Sequence, residues 1–126
     1  MSEPNSSNPV QITNEWGSTI TDVVMSHRYD RDHYDSHTWA SIDRGKTVGG
    51  MKVGYWTGAF RTGKDYWHIT FSADGKRYSC KDNFYCFLTS DDANDKGIVK
   101  IALGNMKMVV TPPISRSDYV DIQQVG

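Results

Sequence analysis

The stretch that most constrains the fold is DYWHITFSADGKRYSCKDNFYCFL, residues 65–88. At its centre Asp74-Gly75 is a two-residue hairpin signal, because a type I′ turn needs positive φ at both central positions. Pairing outward from that turn sets Ala73 opposite Lys76, Phe71 opposite Tyr78, Ile69 opposite Cys80 and Trp67 opposite Asp82. One face then reads Trp67, Ile69, Phe71, Tyr78 and Cys80. The other carries Tyr66, His68, Thr70, Ser72, Arg77 and Ser79. A period of two with one apolar side is the pattern of a sheet resting on a core.

The same reading extends along the chain. Val10 to Ile12 opens a first strand. Ser18 to Ser26 is β-branched and alternating, with Ile20 and Val24 on one side and Thr19, Thr21, Val23 and Met25 on the other. Thr38 to Ile42, a glycine-interrupted run from Thr47 to Phe60, Phe84 to Thr89 and Tyr119 to Gln123 supply further strands. Ile98 to Thr111 reads as a second hairpin about Gly104-Asn105, with Leu103 facing Met106, Ile101 facing Met108 and Val99 facing Val110. His27–His37 and Ser90–Gly97 read as polar connections. The expected fold is all-β: an antiparallel β-sandwich of about nine or ten strands, with a barrel as the second choice. Residues 1–9, polar and rich in Ser, Asn and Pro, read as a disordered lead-in, and residues 10–126 as a single β-sandwich domain.

Composition narrows the function. The 126 residues hold 14 basic and 15 acidic side chains, so the chain lacks the positive footprint of a nucleic-acid binder. No apolar run approaches the roughly 18 residues that span a bilayer, so no transmembrane segment is expected. The N-terminus lacks the basic and apolar regions of a secretory signal. The expected location is the cytoplasm, or the exterior by export without a classical signal peptide. In a reducing compartment Cys80 and Cys86 read as buried thiols, with a disulfide across the intervening loop as the alternative.

Two groups of residues carry the candidate chemistry. The first is HRYDRDHYDSH, residues 27–37, with three His, three Asp, two Arg and two Tyr. Asp30, Asp32 and Asp35 could offer hard oxygen ligands to calcium, although the run lacks the glycine and distal Glu of an EF-hand loop. His33 and His37 would lie about 13 Å apart on a strand, too far for one metal. A solvated, self-balanced edge is the plainer reading. The acidic cluster at Asp91, Asp92, Asn94 and Asp95 reads as an ordinary polar loop.

The second group is aromatic. Tyr55-Trp56 and Tyr66-Trp67 are adjacent pairs, and neighbours on a strand point to opposite faces, so one of each pair is expected near solvent. Exposed rings beside polar groups suit a glycan, whose apolar face stacks on the ring while its hydroxyls bond to the neighbours. The same rings suit a lipid interface. The competing reading makes them core. There is no GxSxG, HExxH or P-loop.

The stretch WTGAFRTGKDYWHITFSADGKRYSC, with its Gly-Thr turn, strand, turn and aromatic strand, resembles the aegerolysins. Those are small β-sandwich proteins that recognise membrane lipids. The dense Tyr-Trp-Asp-Cys-Pro run of that family is absent; the nearest segments here are Asp65-Tyr66-Trp67 and Asp82-Asn83-Phe84-Tyr85-Cys86, and no functional residue is carried over. Small fungal lectins share the same gross features.

The expected function is therefore non-catalytic binding of membrane lipid headgroups or glycans. The candidate ligand-binding residues are Tyr55, Trp56, Tyr66 and His68, with Tyr34, His33 and Asp35 as polar neighbours. Weak sites would gain avidity through multivalency, with an oligomer as one route. No cofactor is expected, apart from calcium at Asp30, Asp32 and Asp35 in a first alternative. A hydrolase using His and Asp of residues 27–37 is the second alternative.

Overall fold

A computed structural model describes residues 4–58 and 63–126. Within these the chain forms nine strands and one short helix: β1 Ser6–Asn14, β2 Ile20–Arg28, β3 Tyr34–Ile42, β4 Thr47–Tyr55, β5 Tyr66–Ala73, β6 Lys76–Cys80, α1 Ser90–Asp95, β7 Val99–Gly104, β8 Lys107–Thr111 and β9 Asp118–Gln124. Phe60, placed by the sequence in the glycine-interrupted run, lies outside the described residues. The first strand begins at Ser6 rather than Val10, so part of the expected lead-in is sheet.

The protein is all-β, but the architecture differs from an antiparallel sandwich. The nine strands form one mixed sheet in the order β3-β2-β5-β6-β9-β8-β7-β1-β4. β1 runs parallel to β7, with Val10 beside Val99 and Ile12 beside Ile101. β9 joins the two halves: residues 118–121 pair with β8, and Ile122, Gln123 and Gln124 pair with β6. The outer strands β3 and β4 are linked by the 43–46 turn and lie against each other. Trp39 Nε1 donates to Gly49 O at 2.9 Å, and Gly54 N donates to the Asp35 carboxylate at 2.9 Å. The sheet thus rolls into a nearly closed barrel, which covers the edges an open sheet would expose.

The central hairpin forms as its sequence dictates. Asp74 and Gly75 both have positive φ, Phe71 pairs with Tyr78, and Ala73 pairs with Lys76. Trp67, Ile69 and Phe71 have no exposed surface. Trp16 packs edge-on against Phe71 and Tyr78, with ring centroids 4.9 Å away in each case, and closes that end of the core.

Three local readings are corrected. The second hairpin turns at Asn105-Met106, both at positive φ, so Leu103 pairs with Met108 and Ile101 with Val110. This register moves Met106 out to solvent while leaving Met108 and Val110 buried, and the close approach of Gly104 to the Glu15 backbone leaves no room for a Cβ there. In β2 a bulge at Asp22, with φ +48°, shifts the alternation so that Val23 and Met25 join Ile20 inside. Phe84–Thr89 alternates in burial as a strand would, but its pairing is a single bridge from Tyr85 to Tyr66.

Candidate functional site

The segment read as a polar connection is mostly sheet. β2 runs on to Arg28, β3 starts at Tyr34, and the two form a hairpin. Because Met25, His27 and Tyr29 face the core, Ser26 and Arg28 face outward. Arg28 pairs with Tyr34 on one side and Tyr66 on the other, and Tyr66 is bridged to Tyr85. A row Tyr34–Arg28–Tyr66–Tyr85 therefore crosses the outer face, with directly opposed Cβ atoms about 5 Å apart. The next row holds Ser36, Ser26 and His68.

The side chains make this surface concave. The Arg28 guanidinium lies over the Tyr66 ring, 4.6 Å from its centroid, and Tyr66 meets Tyr85 edge-on at 6.2 Å. His68 Nε2 lies 3.1 Å from Cys80 O, 3.2 Å from Ser79 Oγ and 3.2 Å from the Asp82 carboxylate. Ser26, Arg28, Tyr34, Tyr66, His68 and Asp82 enclose an open pocket of about 290 Å³. Tyr34 is 69% exposed and stands at its edge.

The seven candidate ligand residues separate into four places. Tyr34, Tyr66 and His68 share the pocket. Tyr55 has no exposed surface, and its hydroxyl donates to Asn8 Oδ1 in the interior, so it is a core residue. Trp56 is half-buried against Tyr29 and His33, at 5.1 and 4.5 Å between centroids, and His33 Nδ1 lies 2.8 Å from Asp30 Oδ1. Asp35 faces inward, because it sits opposite His27 on the core side of the hairpin. Arg28, Ser26 and Asp82 were missed. Only the neighbouring strands make Arg28 part of an aromatic row, and no local pattern in the sequence carries that information.

Beneath the pocket lies a buried charge cluster. His27 Nε2 is 2.7 Å from Asp65 Oδ1, and its Nδ1 is 3.3 Å from Asp35 Oδ2. The ring tilts against Trp67 at 4.8 Å. Asp65 also accepts from Leu88 N at 2.8 Å. Burial pushes the His27 pKa down, but hydrogen bonds and charge from Asp35 and Asp65 outweigh it and raise the value above the ordinary imidazole range. With a carboxylate at each nitrogen, the imidazolium donates on both sides. His27 has no exposed surface.

The calcium set is not drawn together. Asp35 is engaged by His27 and Gly54, whereas Asp30 binds His33 and the Asp32 amide. Among the described residues no group of three or more His, Cys, Asp or Glu is arranged to hold a metal ion. Cys80 and Cys86 are free and buried. Burial, with Asp118, Asp65 and Asp92 nearby, pushes the Cys86 thiol up to about 12, which leaves it a poor nucleophile.

Asp92, read as a loop residue, is a buried pin in the first turn of α1. Its carboxylate accepts from Thr89 N and Ile114 N at 2.8 Å, from Ser115 N at 2.9 Å, and from the Ser115 and Thr89 hydroxyls. Burial would raise its pKa, but these donors, Ser115 foremost, hold it below the usual carboxylate range.

The molecule is thus a small all-β protein with a polar–aromatic pocket on the outer face of its sheet. The chain belongs to the family described as "Up-Regulated in long-lived daf-2", whose model matches residues 5–120, from the first strand into the last. No curated protein matches the sequence. Among the described residues, no helix is long and apolar enough to cross a membrane.

Proposed function

We propose that this protein is a non-catalytic binding protein whose ligand, a glycan, sits on the outer-face row Tyr34–Arg28–Tyr66 above His68. The observation that carries this reading is the cross-strand register of Arg28 with the two tyrosines, which sets accessible rings and polar groups around one pocket. A sugar would lay its C–H face on a tyrosine ring and offer its hydroxyls to Ser26, His68 and Asp82. Such a site needs no nucleophile.

A membrane lipid headgroup is the second reading. It is favoured by a ridge that continues the row: the exposed rings of Tyr85 and Phe87 touch at 5.3 Å, and the Lys64 amine lies 4.7 Å from the Tyr85 centroid. Aromatic rings beside a cation suit the headgroup layer of a bilayer.

Sedimentation with vesicles of sphingolipid and sterol, with glycolipid vesicles, and with free sugars as competitors separates the two. The glycan reading expects binding to glycolipid vesicles that free sugar releases and that Tyr34→Ala and Tyr66→Ala abolish. Binding to sphingolipid–sterol vesicles that sugar leaves intact would replace it with the lipid reading. Retention of binding in both variants would place the ligand elsewhere.

A further inference from the structure

We infer that the pocket selects a sugar bearing an oxyanion, a carboxylate or a sulfate, and that Arg28 is the residue that determines this selection. The inference rests on the glycan reading above and deepens it.

Two arginines stand on the same outer face, and they differ. Arg77 is committed: its guanidinium donates to Asp22 O at 3.2 Å, to Ser72 Oγ at 3.0 Å and to Thr70 Oγ1 at 3.0 Å. Among the described residues the Arg28 guanidinium has neither an ion-pair partner nor a hydrogen-bond acceptor. Its one interaction is with the Tyr66 ring, over which its central carbon lies. A cation–π contact engages no acceptor, so the N–H donors of the guanidinium stay available to a ligand. A guanidinium that lies over a ring, lines a pocket and meets no acceptor among the described residues can take two oxygens of one oxyanion side by side.

The remaining groups orient the ligand. The hydroxyls of Tyr34 and Ser26 also line the pocket and make no hydrogen bond among the described residues, so they are available to the same ligand. The one carboxylate of the pocket, Asp82, stands at the other end beside His68. Along the strand the His68 row lies about 7 Å from the Arg28 row, two residues at the usual rise. The pocket is therefore bipolar. An anionic group is attracted at the Arg28 end and repelled at the Asp82 end, where Asp82 would instead accept hydrogen bonds from hydroxyls. A sugar ring with an oxyanion on one side and free hydroxyls on the other matches both ends; a neutral sugar leaves the cation unanswered.

The test is an amide chemical-shift titration of the full-length chain with four probes: methyl glucuronide, methyl glucoside as its neutral counterpart, 6-sulfo-N-acetylglucosamine, and inorganic sulfate. The expected result is binding of the glucuronide or the sulfated sugar at least about tenfold tighter than the glucoside, the size of a charged hydrogen bond in a partly exposed site. The shifts should centre on Arg28, Tyr34, Tyr66 and His68. Arg28→Gln should bring acidic and neutral sugars within about twofold of each other, chiefly by weakening the acidic ones, and higher salt should shrink the wild-type preference. The glucuronide and sulfated arms report which oxyanion is taken. Glucoside binding as tight as glucuronide overturns the inference and leaves the glycan reading standing. Inorganic sulfate binding as tightly as the sulfated sugar overturns the selection of a sugar. Shifts from none of the four probes overturn both readings. Arg28 lies at the surface, so Arg28→Gln should fold, and an unchanged dispersion of core amides checks this.

Discussion

His27 Nε2 lies 2.7 Å from Asp65 Oδ1, with no solvent reaching either side chain. A buried imidazolium held by Asp65 and Asp35 links folding to pH. Its pKa is raised, so the folded chain holds a proton that the unfolded chain releases near 6.5. The contribution of His27 is fully present below about pH 6.5 and is lost as pH climbs through the folded value. Urea unfolding should show lower stability at pH 9 than at pH 6, and Asp35→Asn should narrow that gap by removing one of the two charges. A gap unchanged in Asp35→Asn would mean His27 does not govern it. Asp65→Ala leaves the buried charge with Asp35 as its one carboxylate and His27 Nε2 without its acceptor, and should cost about 3 kcal/mol.

Asp92 works with the opposite sign. Its carboxylate is held below the usual range by donors from Thr89, Ile114 and Ser115, so its contribution is present above the ordinary carboxylate pKa and is lost as pH falls through the folded value. Asp92→Ala leaves the Ile114 and Ser115 amides without their acceptor and should cost about 1–3 kcal/mol in denaturant melts at pH 7. The variant's loss should shrink towards acid pH. A melting midpoint equal to wild type at pH 7 would show that water replaces the carboxylate.

Met106 occupies a left-handed position in the β7–β8 turn, with φ +57° and its side chain exposed. Met106→Gly gives Asn-Gly, the preferred type I′ pair, and should stabilise the protein by up to about 1 kcal/mol by relieving the Cβ clash. Under a turn at Gly104-Asn105, Met106 would instead oppose Leu103 on the core side, and the same change would destabilise. Thermal melts of this variant therefore decide between the two registers.

Tyr34 and Tyr55 were grouped by composition and are separated by burial. Tyr34→Ala removes a ring that stands in solvent and should change stability by no more than about 0.5 kcal/mol while weakening ligand binding. Tyr55→Phe keeps the ring but strips the hydroxyl from Asn8 Oδ1, and should cost about 1 kcal/mol with binding unchanged. Paired melts and sugar titrations read both, and the reverse pattern would remove Tyr34 from the site.

What the sequence determined by itself is local. Period two put Trp67, Ile69 and Phe71 inside and left Tyr66 and His68 out, and Asp74-Gly75 set the turn, because both effects act between residues close along the chain. The same parity, run through Met25, would have placed His27 inside, but the shift at Asp22 and the polar look of residues 27–37 concealed it. Tertiary structure alone decided which strands became neighbours. Alternation assigns a side chain to a face, yet it says nothing of the strand beside it. That choice is made by burying the whole sheet at once and closing its edges. It joined β1 to β7 in parallel, and it laid Arg28 between Tyr34 and Tyr66. It also brought Asp65, just before the neighbouring strand β5, to His27, where burial of the cation requires a carboxylate.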